Sequence, residues 1–389
     1  MYLRIFKEDI IDGIMKATSI ISQKAGAAYL RTLWLKAEDD KLEILSTDSN
    51  MEFIGKYKSN ILEKGLVGVE GKKFSDLMRK LKPGEIIFKA DQEKNIFFIQ
   101  QDKRRYKIPT TESSWFPELT AFPPDNNVLW SGEMLKEIID KLSFSISDDD
   151  TMGSMTCMKI SRGLETESEV EFCGFDVENM GLYTLKDDGI FNLIPEEGLL
   201  IPKRYLVELR KWLTPGEIEL SISSDRFFIR TQDLSESISF PLSFEEFTDY
   251  RQILDSFSAD LKSCLKVNRK ELMDALDRVL IFSTEFNKSA VFVLSKDEVG
   301  IDSTAVETGE ANEVLGCSYK GDISELVFNI KSLLEILGHF TSEEISIYLS
   351  GQVRPCKITG KDDPNYFVVT MPVEIQEETY YTEEEEEQI

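Results

Sequence analysis

The sequence predicts an α+β protein built from three copies of one module, each with two helices and roughly eight antiparallel strands. Three observations predict it. Leu77–Ile86 reads LMRKLKPGEI and Leu209–Ile218 reads LRKWLTPGEI, the same helical turn, Pro-Gly break and strand entry written twice; such an echo marks a repeated structural unit. Alignment on the terminal isoleucine reveals a third copy, so that Ile86, Ile218 and Ile345 each enter a strand. Finally, strand-like runs far outnumber helical ones, which points to antiparallel sheets with few covering helices and not to a doubly wound fold.

Each copy opens with a helix. KEDIIDGIMKATSII places Ile10, Ile14, Ala17 and Ile21 on one face. SGEMLKEIIDKLSF does so with Leu135, Ile138 and Leu142 behind a candidate N-cap, Ser131. NRKELMDALDRVLIF uses Leu272, Leu276 and Val279, and Asn268 with Glu271 three residues later reads as a capping-box variant. The second helices repeat a stripe at i, i+3 and i+7: Phe74, Leu77 and Leu81; Leu206, Leu209 and Leu213; Leu333, Ile336 and Phe340. Pro83-Gly84 and Pro215-Gly216 end two of them, while the third copy has TSEE there.

Short β-type runs (GLVGV, GLLI, ELVF) precede the second helices. Paired alternating runs follow: EIIFKA with NIFFIQQ, EIELSIS with RFFIRTQ, EISIYLS with RPCKITG. The linkers fall near FPPDNN (122–127) and LDSFSAD (254–260). These divide the chain into domains 1–124, 125–256 and 257–375, followed by a tail over 376–389.

Composition limits the function classes. The chain has 389 residues and a formal net charge of −26. No apolar run approaches the ~20 residues that span a bilayer, and the N-terminus lacks a secretory pattern, so a soluble, cytoplasmic protein is expected. Five scattered cysteines without a Cys-x-x-Cys spacing argue against a disulfide framework or a thiolate zinc site. The single histidine, His339, lies in an apolar helical pattern and reads as structural. Phosphate-loop, dinucleotide and zincin motifs are missing from the sequence. No enzyme activity, metal or cofactor is expected.

The acidity is partly local, because EIQEETYYTEEEEEQI at the end carries eight carboxylates and no basic residue. Like charge with little apolar content predicts a disordered tail. Against this acidic background the second helices carry basic residues: Lys72, Lys73, Arg79, Lys80 and Lys82 in the first copy, and Lys203, Arg204, Arg210 and Lys211 in the second. The third has only Lys331, and Lys24 follows the first opening helix. A charged helix face is usually just solvated, but recurrence at equivalent positions suits a sequence-independent grip on phosphates.

With these features the chain resembles the bacterial DNA polymerase III beta subunit family, the sliding clamps, over residues 1 to about 375. The resemblance rests on the threefold repeat, IPKRYLVELRKWL, the FPEL and FTDYRQIL domain ends and the final YFVVTMPVEI. It implies a head-to-tail homodimer closed into a ring around double-stranded DNA, acting in the cytoplasm on the nucleoid. Lys24, Lys72, Lys73, Arg79, Lys80, Lys203, Arg204, Arg210, Lys211 and Lys331 would face the DNA. Tyr106 and Ile108 would meet Ile281 and Phe282 across the ring-closing interface, although without the resemblance all four read as ordinary core. Partners implied are the replicative DNA polymerase, a clamp loader and other proteins with clamp-binding motifs.

Their linear peptides would dock in a cleft between the second and third domains drawn from Met155, Val177, Met180, Thr248, Ile253, Pro355, Val369, Met371, Pro372 and Val373. By pattern alone Val369 and Ile253 fit a core equally well. FDVENM (Phe175–Met180) replaces the family's usual Thr-Asp-Gly-His-Arg-Leu segment in one wall of that cleft. Two other readings remain open: a three-repeat peptide-binding scaffold that does not encircle nucleic acid, and an enzyme using the carboxylates of SDDD at Ser147–Asp150.

Overall fold

The apolar stripes become the buried faces of the helices. A computed structural model of the chain describes residues 1–21, 28–164, 166–284, 288–305 and 309–374. Among them are eight α-helices: α1 (Lys7–Ile20), α2 (Gly71–Lys80), α3 (Gly132–Leu142), α4 (Asp188–Leu193), α5 (Lys203–Trp212), α6 (Tyr250–Ser258), α7 (Arg269–Leu280) and α8 (Ile330–Gly338). Ile10, Ile14 and Ala17 of α1, Leu135, Ile138 and Leu142 of α3, and Leu272, Leu276 and Val279 of α7 are all buried. Ser131 accepts from the Met134 N–H at 3.1 Å and Asn268 from the Glu271 N–H at 3.0 Å, so both expected caps form.

The echo is a single construction made three times. Strand Tyr2–Phe6 pairs antiparallel with Glu85–Asp91, Val128–Ser131 with Glu217–Ile222, and Ser263–Asn268 with Glu344–Leu349. In each, the first N–H of the opening helix donates to a carbonyl just before the post-helix strand: Lys7 to Gly84 at 3.0 Å, Gly132 to Gly216 at 2.9 Å and Arg269 to Glu343 at 2.7 Å. Two copies add a carboxylate. Glu8 accepts from the Gly84 N–H at 2.9 Å and Glu133 from the Gly216 N–H at 3.0 Å. Gly84 and Gly216 sit at φ +130° and +126°, and a Cβ on either would meet nothing within 4 Å. The left-handed backbone, not lack of space, therefore demands glycine. The drifted third copy has no such glycine and closes with the Arg269 guanidinium donating to the Ser342 carbonyl at 2.8 Å.

The chain divides into two units. One comprises Met1–Ser143, Asp148–Phe172 and Leu185–Phe247; the other comprises Phe144–Ser147, Cys173–Thr184 and the chain from Thr248 on. In the first unit a sheet of thirteen strands runs through both of the first two copies, joined where Glu236–Pro241 pairs with Glu52–Lys58. In the second unit Ser263–Asn268, Glu344–Leu349, Cys356–Gly360 and Tyr366–Thr370 are successive antiparallel neighbours.

Three differences from the sequence reading emerge. The first copy has an additional strand, Asn60–Glu63, and the second an additional helix, α4. Residues 122–127 form no regular element, but the segment read as the second linker lies largely in α6. That helix is capped by the Asp249 side chain and anchored by buried Tyr250 and Phe257, two residues too few to announce a helix. SDDD is committed to local structure: Asp148 pairs with Lys203 at 2.9 Å and Asp149 accepts from the Thr151 N–H at 2.9 Å. Among the described residues no cluster could hold a metal ion. His339 is half-buried and stacks on Phe144 with ring centroids 4.7 Å apart.

Candidate functional site

Three surfaces gather the candidate residues. The first is a layer of helices in the first unit. Ser75 of α2 donates to the Met15 sulfur of α1 at 3.3 Å, Lys16 of α1 lies over the Trp212 ring of α5 at 5.9 Å, and Arg210 of α5 bonds Asp140 of α3. The side-by-side order is therefore α2, α1, α5, α3. This brings the basic residues of α2 and α5 into one layer.

The two helices differ in charge. Lys72, Lys73, Arg79 and Lys80 are exposed, and Arg79 alone of these has a carboxylate neighbour among the described residues, Asp76 at 3.9 Å. On α5 the positive face is largely answered: Arg210 by Asp140, Lys211 by Glu208 at 2.7 Å and Lys203 by Asp148. Arg204 lies 4.7 Å from the Tyr205 ring and donates to its hydroxyl at 2.8 Å. The expected pure positive face thus holds on α2 and is partly neutralised on α5, by acids from α3, from its own preceding turn and from the SDDD loop. The Arg210–Asp140 pair is exposed and worth little, whereas the Lys203 side chain is only 16% exposed. Lys331 is exposed at the start of α8 in the second unit. Lys24 lies outside the described residues.

The second candidate is a pair of sheet edges, one in each unit, that are open among the described residues and that sequence reasoning missed. Arg104–Thr111 pairs with Ile96–Gln101 along one side, but on its other side only Thr110 and Thr111 are paired. In the second unit Gly309–Lys320 is paired with Glu298–Ala305 over Gly309–Gly316, and its other side is paired only from Cys317 to Lys320. Each edge leaves a row of backbone donors and acceptors available. The first edge carries Arg104, Arg105 and Lys107, all exposed; the second carries Glu310 and Glu313. Arg278 of α7 makes two bonds to Glu313, at 2.7 and 2.8 Å. No local pattern announces an open edge, because strand pairing is non-local.

The interface candidates fall on these edges, with one correction. Ile281, just past α7, is 75% exposed, an unusual position for a large aliphatic side chain. Phe282 is half-buried, and its ring lies 3.8 Å from where a Cβ on Gly309 would stand. Tyr106 is half-buried within the open part of its strand. Ile108, by contrast, is only 3% exposed and pairs with buried Phe97. It belongs to the core and offers no area to a partner: positions two apart share a face, and here that face turns inward.

The third surface lies in the second unit. Strand Tyr366–Thr370 runs between Asn179–Tyr183 and Cys356–Thr359, with Met180 opposite Val369 and Cys356 opposite Thr370. Extending that register places Met371, 44% exposed, between the Val177 turn and Pro355. Val177 is itself 53% exposed and sits at φ +82°, a costly conformation for a β-branched residue. Asp176 holds it there by accepting from the Glu178 and Asn179 N–H groups at 3.1 and 2.7 Å. Burial raises the Asp176 carboxyl above its usual range, against those bonds. Asn179 in turn accepts from Thr370 at 2.8 Å and Ser332 at 3.4 Å, fixing the hairpin to the strand.

Arg354 pairs with Asp260 at 2.9 Å, bringing the segment after α6 to the loop that carries Pro355. Thr248, Ile253 and Pro355 are half-buried, while Met180, Val369 and Pro372 are buried and form the floor. Val373 donates from its backbone to the Val327 carbonyl at 2.9 Å. Met155 is half-buried in the first unit.

The comparisons with known proteins fit this construction. Residues 1–120 match the family model described as DNA polymerase III beta subunit, N-terminal domain, and residues 256–374 match its C-terminal domain. The chain belongs to the DNA polymerase III beta subunit family. Among its relatives, the beta sliding clamp of Pseudomonas aeruginosa is 22% identical over 386 residues, covering 96% of this chain and all of that protein. That of Haemophilus influenzae is 22% identical over 382 residues with the same coverage. Among solved structures, the beta subunit of P. aeruginosa superposes with a TM-score of 0.85 at 20% identity, and a sliding clamp of Bartonella birtlesii bound to griselimycin with 0.88 at 21%. Each covers 96% of this chain and all of that one. The match therefore extends through the second copy, which neither family model reaches.

Proposed function

We propose that the protein is a DNA sliding clamp: two copies close head to tail into a ring around duplex DNA and hold a replicative polymerase and other partners on it. The observation that carries this reading is the pair of open edges, one basic and one acidic, the acidic one in the unit that leaves Ile281 75% exposed. An edge of one copy placed against the opposite edge of another continues the sheet, pairs unlike charges and covers Ile281. The contact is heterologous, and two such contacts close it without leaving an open strand.

The domain boundaries near 124/125 and 256/257 follow the threefold construction, the second falling within α6, which joins the second copy to the third. The helix layer faces the hole, where Lys72, Lys73 and Lys80 make weak, sequence-independent phosphate contacts that allow sliding. The acidic remainder discourages DNA from binding elsewhere. Clients insert a short apolar peptide over Met371 and Val177, with the floor made by Met180 and Val369. Methionine suits a site that must repack around several peptides. The chain carries out no reaction of its own.

The test is a charge swap read by sedimentation velocity. Arg104→Glu with Arg105→Glu yields monomers, as does Glu310→Lys with Glu313→Lys, and mixing the two variants gives heterodimers in which one interface is charge-reversed and the other wild type. Dimers from either variant alone, or no rescue on mixing, overturn the edge pairing and favour the scaffold reading.

A further inference from the structure

Helices α2 and α5 are the same helix of the first two copies, and both are basic, but their cations touch different things. On α2, Lys72, Lys73 and Lys80 are exposed and, among the described residues, have no carboxylate partner. On α5, the Arg210 guanidinium donates through two nitrogens to the two oxygens of Asp140 on α3, one of these bonds at 3.1 Å. The Lys211 ammonium lies 2.7 Å from Glu208, one turn earlier on the same helix. These four side chains keep between 24% and 56% of their surface, so both pairs stand on the water-facing side of the layer. The bond to Asp140 also raises the Arg210 guanidinium above its ordinary value.

We propose that Asp140 and Glu208 regulate the grip on DNA by occupying the α5 cations, leaving α2 as the face that holds phosphates. This regulation rests on the sliding-clamp reading, in which the helix layer faces the duplex. A free lysine that meets a phosphate releases the counterion condensed there, and log affinity then falls with log salt by about 0.9 per contact. Arg210 and Lys211 meet a phosphate only by leaving a carboxylate, which then takes up a cation from solution. Release and uptake cancel, so these two contacts add little to the salt dependence. Until a pair opens, a phosphate meets a nearly neutral group, because the two charges stand much closer together than the Debye length of ~8 Å. Exposed pairs are weak, so the compensation of both cations lowers affinity by about two- to thirtyfold and does not abolish it. A ring that must slide gains from such a face, since a contact that breaks one pair to make another does not anchor it at any one phosphate.

The test is the affinity of the full chain for a short linear duplex, measured by fluorescence anisotropy across a salt series. Asp140→Asn with Glu208→Gln frees Arg210 and Lys211 at nearly constant side-chain size. Affinity at low salt rises about two- to thirtyfold, and the slope of log affinity against log salt steepens by about 1.8, two contacts at ~0.9 each. In case Glu208→Gln weakens the fold, Asp140→Asn alone gives about half that steepening. Glu63→Gln with Glu93→Gln removes the same charge from exposed positions elsewhere in the first unit and leaves the slope as it was. Adding Arg210→Ala with Lys211→Ala to the Asp140→Asn, Glu208→Gln chain abolishes the gain. A slope that stays at the wild-type value, an equal rise in the Glu63, Glu93 control, or a gain that survives the loss of Arg210 and Lys211 overturns the proposal. Its failure is distinct from failure of the clamp reading: Lys72→Ala with Lys73→Ala lowers the slope in the same assay whenever the helix layer faces DNA, whatever Asp140 and Glu208 do.

Discussion

Replacing Ile281 with alanine tests the proposed ring closure, because it removes an exposed side chain of that interface and touches almost nothing inside the monomer. Three carbons are deleted, worth about 2.4 kcal/mol at ~0.8 kcal/mol per buried methylene. Ile281 is 75% exposed in the single chain, so about 1.8 kcal/mol of that is available to a partner. A closed ring has two equivalent interfaces, which doubles the loss to about 3.6 kcal/mol; at ~1.4 kcal/mol per tenfold, the dimer dissociation constant rises about 400-fold. Sedimentation equilibrium measures that constant directly, and the monomer's unfolding midpoint stays where it was. Leu234→Ala, which truncates an exposed side chain (54%) in a turn several strands away from Arg104–Thr111 in the sheet of the first unit, serves as control and leaves the constant within about twofold. A change below about fivefold for Ile281→Ala, or an equal change for Leu234→Ala, refutes the placement of the interface.

Three further outcomes follow from the same surfaces. Lys72→Ala with Lys73→Ala lowers the slope of log affinity for duplex DNA against log salt by about two units, since each lost phosphate contact removes about 0.9; an unchanged slope removes α2 from the DNA. Met371→Ala weakens binding of a short apolar peptide from the cognate polymerase by about five- to thirtyfold in fluorescence anisotropy, without moving the unfolding midpoint, because the side chain is 44% exposed. The third concerns acid. Glu8 lies below the ordinary carboxylate value of 4.5, chiefly because it accepts from the Gly84 N–H. Glu133 does so through its own backbone N–H and that of Gly216. A carboxylate lowered in the folded state stabilises it fully above the unfolded value, and that stability is lost as pH falls through the folded value. Thermal unfolding midpoints therefore fall below about pH 4.5, less steeply in Glu8→Gln with Glu133→Gln than in the wild type; identical slopes contradict the role of these bonds.

What could be read from the sequence was what is local. Gly84 and Gly216 need a left-handed backbone, Ser131 and Asn268 cap the helix beside them, and the stripes on α1, α5 and α7 return every three or four residues. Each leaves a mark within a few positions. The misreadings share a cause: their deciding partner is distant in sequence. Asp140 neutralises Arg210 from another helix. The face on which Tyr106 and Ile108 lie is the same by alternation, but only the packing against Phe97 says that it points inward. The α6 segment carries Tyr250 and Phe257 as its buried anchors, too few to show a period. The open edges of Arg104–Thr111 and Gly309–Lys320 exist only once every other strand and helix has found its neighbour.

Enclosure of DNA is most directly tested by topology. With its cognate loader, the protein is placed on matched circular and linear duplexes, and both are then moved to high salt. A contact-driven binder loses affinity steeply as released counterions cease to favour the complex. A threaded ring stays on the circle and slides off the line. Equal retention on the two, or equal loss from both, means that the protein does not encircle DNA.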